Sequence, residues 1–168
     1  MTKKILLSRP QISGTEIDYI KEALADDWIT PLGPHVDRFE AVLENLMSSE
    51  GHKEYVCAVS AGTAAIHIGL DLLGVKKDEE VICSSFTFAA SANPIVYLGA
   101  RPVFVDSEPT TWNMDPELLR MAIEDRITHT GHKPAAIVVA ELYGMPARMD
   151  EIMATAAMYK IPVLEDSA

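Results

Sequence analysis

Residues 55–70 read YVCAVSAGTAAIHIGL, and this stretch decides the fold. Its first half alternates β-branched and aromatic residues in the manner of a strand, and its second half is rich in alanine and large aliphatic residues in the manner of a helix. Between the halves stands Ser60-Ala61-Gly62-Thr63, where the glycine allows a tight turn. The sequence therefore predicts a strand over 55–59, a turn, and a helix over 63–73.

The start of that predicted helix is a candidate anion site. Gly62 makes the turn, and the small residues Thr63, Ala64 and Ala65 are expected to leave the first helical N–H groups uncovered. The helix dipole favours negative charge at this end, so a phosphate group would bind there. An ordinary strand-to-helix turn, with a small residue for close packing, explains the same letters equally well.

Length and composition narrow the class of protein. The chain has 168 residues, of which 48% are hydrophobic and 23% charged, as expected for one globular domain with a sizeable core. The formal net charge of −11 argues against a nucleic acid or an anionic membrane surface as a partner, because either needs a basic face. An anionic ligand would need a local site.

Targeting and redox signals point to the cytoplasm. The amino terminus, MTKKILLSRP, has a basic start, but its apolar core of three residues is too short for a signal peptide. No apolar run approaches membrane-spanning length. Cys57 and Cys83 both fall in predicted buried strands, so we interpret them as reduced core residues.

The remainder of the chain alternates strands and helices. Two helices are expected first, over 14–25 and 36–47, separated by a loop that carries Trp28. Nearly continuous aliphatic strands such as AAIVVA then indicate a parallel or mostly parallel sheet covered by helices on both faces, a three-layer α/β/α architecture. After 55–59 the predicted strands are 80–83, 102–105, 135–140 and 161–165, and the helices after 63–73 are 91–98, 116–125 and 149–159.

In an open α/β sheet the ligand collects beyond the carboxyl ends of the strands, and two further features stand there. Phe86 and Phe88 follow the second predicted strand, where one of them could stack on a flat heteroaromatic ring or both could be core residues. Asp166 follows the aliphatic run IPVL, where a carboxylate needs a cation or hydrogen-bond donors. A salt bridge within the protein would also satisfy it.

An anion site, a ring platform and a carboxylate together suit pyridoxal phosphate, because an ionised Asp166 would keep the pyridine nitrogen protonated. Other ligands lack their sequence signals. The chain has no G-x-G-x-x-G after its first strand, no G-x-x-x-x-G-K-[ST] and no G-x-S-x-G. His129 and His132 are expected in a loop without a neighbouring carboxylate or cysteine, so no metal site is predicted.

At this point the sequence resembles a known family, the DegT/DnrJ/StrS-type sugar aminotransferases, which are fold-type-I pyridoxal-phosphate enzymes. Five motifs in the family's order carry the resemblance over about residues 6–168: WITPLGPHVDRFE, VSAGTAAIHIGL, SSFTFAASANPIVYLGARPVFVD, LYGMPARMDEI and VLEDSA. Because of WITPLGP and the SSFTF block, the chain is most similar to transaminases of UDP-linked 4-keto-6-deoxy-N-acetylhexosamines.

The resemblance implies roles for individual residues. It assigns Gly62, Thr63 and Ala64 to the cofactor phosphate, Phe88 to the face of the pyridine ring, and Asp166 to the ring nitrogen. Residues 30–34 would then lie near the sugar site at a homodimer interface. Glu141 departs from the histidine that many relatives have before Leu-Tyr-Gly, which leaves the substrate subtype open.

The resemblance also implies an amino-terminal arm and an incomplete large domain of the aspartate aminotransferase type, with the small carboxyl-terminal domain absent. The Schiff-base lysine is expected beyond Ala168, and none of the eight lysines present falls at a suitable strand end. The 168 residues alone should therefore be inactive, although the whole chain would transfer an amino group, with glutamate as the expected donor, to a nucleotide-linked keto sugar. A non-catalytic phospholigand-binding module and an inactive truncated paralogue are the alternatives.

Overall fold

The computed structural model describes residues 10–168, which form two compact units, residues 10–58 and residues 59–168. The interpretation of the first nine residues as lacking a signal peptide, and the two lysines Lys3 and Lys4, lie outside the described residues. Within the described part of the chain, no helix is both long enough and apolar enough to cross a membrane.

The first unit contains two helices, α1 (Glu16–Ala25) and α2 (Pro34–Met47). The carboxylate of Glu16 accepts a hydrogen bond from the Ser13 N–H at 2.6 Å, which helps to fix the entry to α1. Trp28 packs within its own loop, because a Cβ on Gly33 would lie only 2.8 Å from Cε3 of the indole. Gly33 has a φ of +138°, a conformation that favours glycine, and Pro34 follows it as the first residue of α2.

The predicted strand over 55–59 is wrong, because this segment pairs with no strand among residues 10–168. Every second N–H group of residues 54–58 donates a hydrogen bond to a side chain of α2 or of Ser48, the C-cap residue of that helix. Glu54 donates to Ser48 Oγ at 2.9 Å, Val56 to Glu44 Oε1 at 3.3 Å, and Ala58 to Glu40 Oε1 at 2.7 Å. Neighbouring residues of an extended chain point to opposite sides, and Cys57 is exposed rather than buried as predicted.

The second unit is an alternating α/β structure. Its elements in order are α3 (Gly62–Leu72), β1 (Glu80–Ser84), α4 (Ala89–Tyr97), β2 (Arg101–Val105), α5 (Pro116–Thr130), β3 (Ala136–Ala140), a 3₁₀ turn (Leu142–Gly144), α6 (Met149–Tyr159) and β4 (Val163–Asp166). The four strands are all parallel and lie in the order β2-β1-β3-β4. This confirms the predicted α/β class with a parallel sheet.

Successive residues of the strands face two separate cores, which makes the three predicted layers. On one face Val81, Cys83 and Val138 pack with the buried residues of α3 and α4. On the other face Ile82, Ile137 and Val139 pack with those of α5 and α6. All five residues of β3 are buried, as expected for a central strand covered on both sides.

Helix α5 begins as the sequence predicts and ends later. Asp115 is the N-cap, and its Oδ1 accepts from the N–H groups of Glu117 and Leu118. The helix continues to Thr130, so the prediction that His129 lies in a loop is wrong, and its Nδ1 is 2.9 Å from Asp125 Oδ1. Among residues 10–168, no group of three or more His, Cys, Asp and Glu side chains is arranged to hold a metal ion.

Candidate functional site

The strand order places a crevice between β1 and β3. The chain passes from β1 to β2 in one direction and then continues with β3 and β4 on the other side of β1. Loops after β1 and β3 therefore leave toward opposite faces of the sheet, and ligands of open α/β sheets bind at such a reversal. A cavity of ≈ 390 Å³ lies there, lined by Gly62, Thr63, Ile66, Thr87, Phe88, Ala90, Ala140, Glu141, Leu142, Tyr143, Asp166 and Ala168.

Four of the five predicted cofactor residues line this one cavity: Gly62, Thr63, Phe88 and Asp166. They come from three elements, namely the start of α3, the residue before α4 and the end of β4. Ala64 does not line it. The expectation that Ala64 and Ala65 have uncovered N–H groups is wrong in this structure, because both donate to the carbonyl of Ala61, at 3.0 and 3.1 Å.

The N–H groups at the start of α3 that lack a protein acceptor are those of Gly62 and Thr63, as far as residues 10–168 are concerned. Ala61 precedes them in an extended conformation, with φ −164° and ψ 156°. A Cβ on Gly62 would have no other atom within 4 Å, so close packing does not explain this glycine. The turn thus offers two donors at a helix amino terminus, a suitable arrangement for an anion.

The two phenylalanines after β1 have different positions. Phe88 is the N-cap residue of α4, is 83% exposed and lines the cavity. Phe86 turns away to Trp112, with ring centroids 6.0 Å apart, and lines a second cavity beside Asp106. The alternative that both rings belong to the core is therefore wrong, and only Phe88 is available as a platform at the crevice.

Asp166 is half-buried at the carboxyl end of β4, opposite Ala140 of β3. No lysine, arginine or histidine among residues 10–168 forms an ion pair with it, so an internal salt bridge does not explain this carboxylate. Its Oδ2 accepts a hydrogen bond from Ser91 Oγ at 2.5 Å. Burial, and to a smaller extent the charge of Asp166, raise the pKa of the Cys83 thiol to about 12, so this cysteine stays protonated at neutral pH.

Several residues at the site have no signal in the sequence. Ser91 and Thr87 lie behind Asp166, with their hydroxyl oxygens 2.7 Å apart. The buried Asn113 fixes the loop after β3, because its Oδ1 accepts from Leu142 N–H at 2.9 Å and its Nδ2 donates to the Met145 carbonyl at 2.7 Å. The contacts of Asn113, and that of Ser91 with Asp166, join positions far apart in the chain, which periodicity and motifs do not reveal.

The loop after β3 presents two more side chains at the cavity. Glu141 Oε1 accepts from the Ala147 N–H at 3.0 Å, so this carboxylate is held by its own loop. Tyr143 has a φ of +55°, unusual for a non-glycine residue, and its side chain is exposed. An exposed aromatic ring on a fixed loop is a suitable contact for a ligand that enters the cavity.

The four lysines of the second unit all lie at the amino ends of the strands, away from the cavity. Lys76 and Lys77 precede β1, Lys133 precedes β3, and Lys160 precedes β4. In a parallel sheet these segments lead into the amino ends of the strands, whereas the cavity is at the carboxyl ends. The amino group of Lys133 is also held by the carbonyls of Tyr159 and Lys160. None of the four lines the cavity.

The loop that carries Asn113 is stabilised by a buried carboxylate, and this predicts a pH dependence. The Thr111 hydroxyl, together with the N–H groups of Thr110 and Thr111, lowers the pKa of Glu108 from 4.5 to about 2, although burial opposes the shift. A lowered pKa in the folded state stabilises the protein fully above pH 4.5, and this stabilisation is lost as the pH falls toward 2. The free energy of unfolding of Glu108→Gln, measured in urea, should therefore decrease less than that of the wild type as the pH falls over this range.

The control for that measurement is Glu50→Gln. Glu50 is exposed and its side chain has no hydrogen-bond or ion-pair partner among the described residues. The free energy of unfolding of Glu50→Gln should change with pH in the same way as that of the wild type. A Glu108→Gln curve parallel to that of the wild type between pH 4.5 and 2 would contradict the assignment.

Comparisons with known proteins agree with this geometry. A 51% identical relative is EpsN of Bacillus subtilis (strain 168), whose name places it among the pyridoxal phosphate-dependent aminotransferases; the match covers all of this chain and 42% of EpsN. The GDP-perosamine synthase of Escherichia coli O157:H7 is 37% identical, over 99% of this chain and 43% of that protein. The chain thus spans less than half the length of the curated relatives that it matches.

A solved structure gives the same result for the fold. The crystal structure of a DegT DnrJ EryC1 StrS aminotransferase from Brucella abortus superposes with a TM-score of 0.83 at 34% identity, covering 90% of this chain and 39% of that one. The model of the DegT/DnrJ/EryC1/StrS aminotransferase family matches residues 10–168. With the family match over nearly the whole sequence, the chain belongs to the DegT/DnrJ/EryC1/StrS aminotransferase family.

Proposed function

We propose that these 168 residues are the amino-terminal arm and part of the cofactor-binding large domain of a pyridoxal-phosphate-dependent aminotransferase, with the small carboxyl-terminal domain outside them. The complete enzyme transfers an amino group from a donor, glutamate in our proposal, to a nucleotide-linked keto sugar. It works in the cytoplasm as a homodimer. The name of the E. coli relative, GDP-perosamine synthase, supports a nucleotide-sugar substrate.

The observation that carries the proposal is the convergence of three features on one cavity. The N–H groups of Gly62 and Thr63, which have no acceptor among residues 10–168, lie at its α3 side, and the ring of Phe88 is exposed to it. The carboxylate of Asp166 also lines it and has no cationic partner in the same part of the chain. The cavity volume of ≈ 390 Å³ is within the range of small-molecule sites, about 300–1,000 Å³. The residues present therefore fit a ligand with a phosphate, a flat ring and a protonated ring nitrogen.

Each residue has a defined task in this proposal. The start of α3 binds the phosphate through backbone donors and the helix dipole, so no basic side chain is needed there. Phe88 covers one face of the ring and keeps water from it. The carboxylate of Asp166 would hold the proton on the ring nitrogen. When bound, pyridoxal phosphate supplies an electron sink for the carbanion formed at the substrate carbon.

The covalent part of the reaction needs an amine at the cavity. The lysines of residues 59–168 all lie at the amino ends of the strands, away from the cavity. This part of the chain therefore binds and orients the cofactor but does not attach it covalently. Ala64 stays a predicted phosphate contact, although its N–H already donates to Ala61. Glu141, the first residue after β3, lines the cavity and is the residue that we expect to differ between enzymes with different sugar substrates.

Exposed apolar side chains support the homodimer. Phe104 and Trp112, which do not line the cofactor cavity, are each more than half exposed, and β2 and β4 lie at the two edges of the sheet with one neighbour each among the described strands. Exposed large apolar side chains and unpaired strand edges are features that proteins usually cover. A second copy of the chain is the occupant that we propose.

The phosphate site is tested by a proline substitution. Gly62 is the first residue of α3 and Ala61 before it is extended, so both positions accept Gly62→Pro without strain, and the change removes one anion-binding N–H. We expect Gly62→Pro to weaken the binding of pyridoxal phosphate by roughly tenfold, measured by isothermal titration, because one hydrogen bond to a charged group is lost. Gly62→Ala, the matched control, keeps the N–H and should bind within about twofold of the wild type.

The ligands separate the proposal from its alternatives. Inorganic phosphate should compete with pyridoxal phosphate, and pyridoxal without its phosphate should bind much more weakly. Borohydride treatment with one equivalent of cofactor, followed by mass spectrometry, should show no lysine modified in preference to the others. Equal binding by Gly62→Pro and Gly62→Ala would contradict the phosphate assignment, and binding of inorganic phosphate alone, with no preference for the cofactor, would favour a non-catalytic phospholigand-binding module.

A further inference from the structure

We propose that Ser91, supported by Thr87, is a positioning residue for Asp166, which it presents to the cofactor with one carboxylate oxygen already occupied. The inference rests on the proposed function of the cavity. The residue lies in the first turn of α4, its side chain is fully buried, and its Oγ donates to Asp166 Oδ2 at 2.5 Å.

The two hydrogen bonds behind Asp166 have a fixed direction. A serine hydroxyl has one proton, and an ionised carboxylate can only accept, so the proton of Ser91 goes to Asp166. The contact of 2.7 Å between Thr87 Oγ1 and Ser91 Oγ must then be donated by Thr87. Each bond in such a series polarises the next, which strengthens the interaction with the carboxylate.

This arrangement leaves one oxygen of Asp166 for the ligand. Oδ2 is occupied by Ser91, whereas Oδ1 has no hydrogen-bond donor among residues 10–168. A carboxylate held through one oxygen cannot rotate freely, so the other oxygen keeps a constant direction. Because geometry within about 0.5 Å matters at a site of this kind, we expect the held oxygen to contribute to affinity.

The position of Ser91 in the chain supports a role in the site rather than in the helix. A serine in a helix can bond to the carbonyl of the preceding turn, but the hydroxyl of Ser91 reaches 75 positions along the chain to β4. The same turn of α4 follows Phe88, whose carbonyl accepts from the Ser91 N–H at 3.0 Å. One short segment therefore sets the positions of both the ring platform and the carboxylate.

Three variants test the proposal, with pyridoxal phosphate as the probe and the 168-residue chain as the protein. Ser91→Ala removes the hydroxyl, and we expect about tenfold weaker binding, the usual effect of losing one hydrogen bond to a charged group. Ser91→Thr restores the hydroxyl and should recover most of the affinity. Ser84→Ala is the matched control, because Ser84 is equally buried but its Oγ accepts from the Ala140 N–H at 3.2 Å instead of contacting Asp166.

A second readout needs no cofactor. The Ser91 hydroxyl proton, held in a short bond to a carboxylate, should exchange slowly and give a downfield proton NMR signal in the wild type. That signal should be absent from Ser91→Ala, shifted upfield in Asp166→Asn because a neutral amide is a weaker acceptor, and unchanged in Ser84→Ala. A merely structural serine would lower stability in the same way as Ser84→Ala without this pattern.

The outcomes separate this proposal from the function on which it rests. If the wild type binds pyridoxal phosphate and Ser91→Ala binds as tightly as Ser84→Ala, or if Ser91→Thr rescues nothing, the positioning role is overturned and the cofactor assignment stands. If the wild type does not bind pyridoxal phosphate, the proposed function fails, and the positioning role fails with it. Weaker binding by Ser91→Ala alone, with rescue by Ser91→Thr and the matching NMR pattern, supports the proposal.

Discussion

Replacing Asp166 by asparagine should weaken the binding of pyridoxal phosphate by about 10- to 100-fold, because a hydrogen bond from a protonated ring nitrogen to a carboxylate contributes about 1.5–3 kcal/mol. Asparagine keeps the size of the side chain and can still accept from Ser91. The change therefore removes the charge and little else. Isothermal titration of wild type and variant at one pH measures the difference.

The same substitution should leave the fold intact. Asp166 has no cationic partner among the described residues, and its side chain accepts a hydrogen bond from the hydroxyl of Ser91. Because a half-buried carboxylate without a cation costs stability, we expect the unfolding free energy of Asp166→Asn to change by less than about 1 kcal/mol in urea. A residue kept for binding rather than for stability gives this combination of results.

The control is the neighbouring carboxylate on the same strand. Glu165 is exposed, and its Oε1 accepts a hydrogen bond from Ser167 Oγ at 2.7 Å. Glu165→Gln removes an equal charge within one residue of Asp166, so it reports any general effect of charge on the binding of an anionic ligand. Equal affinities of Asp166→Asn and Glu165→Gln would show that Asp166 does not contact the cofactor.

Asn113→Ala should destabilise the protein by about 2–4 kcal/mol, since it leaves the Leu142 N–H and the Met145 carbonyl without partners and each such buried group costs about 1–3 kcal/mol. The substitution also leaves a cavity next to the loop after β3. We expect urea unfolding to show the loss of stability and chymotrypsin to cleave at Tyr143 faster than in the wild type.

Asn93→Ala is the matched control for Asn113→Ala. Asn93 is exposed on α4, its side chain has no hydrogen-bond partner among the described residues, and alanine is a better helix former than asparagine. Its stability should stay the same or rise slightly. If both alanine variants unfold at the same urea concentration as the wild type, the buried amide of Asn113 does not hold the loop.

Elements with local signals could be predicted from the sequence. The five-residue strand β3 is a continuous aliphatic run, α5 begins at the Asp115-Pro116 pair, and α6 has the predicted bounds of 149–159. The segment 55–59 has an equally clear strand pattern and is not in a sheet, because pairing depends on which groups reach its edge. A strand pattern shows that a segment could pair in a sheet, but it does not identify the neighbouring element. For residues 54–58 that neighbour is helix α2.

The site shows the same division. The rule that ligands bind at the carboxyl ends of parallel strands predicts Thr63, Phe88 and Asp166 at one site, and all three line one cavity in the structure. The contacts of Ser91 and Asn113 could not be predicted in this way, because each depends on side-chain directions between distant elements. The expectation that the N–H groups of Ala64 and Ala65 are uncovered is wrong for a local reason, because the Ala61 carbonyl accepts from both in the first helical turn.

Glu40, Glu44 and Ser48 accept hydrogen bonds from the N–H groups of residues 58, 56 and 54. The geometry of a helix beside an extended chain limits how many such contacts can follow one another. Four residues of helix advance by about 6.0 Å, whereas two residues of extended chain advance by about 6.6 Å, so the two repeats fall out of step by about 0.6 Å at each contact. Three contacts accumulate a mismatch that side-chain rotation can absorb, but a much longer series would not fit. A helix can thus substitute for a neighbouring strand over a few residues only, and natural sequences that use this device should show acceptors at every fourth helical position beside a correspondingly short extended segment.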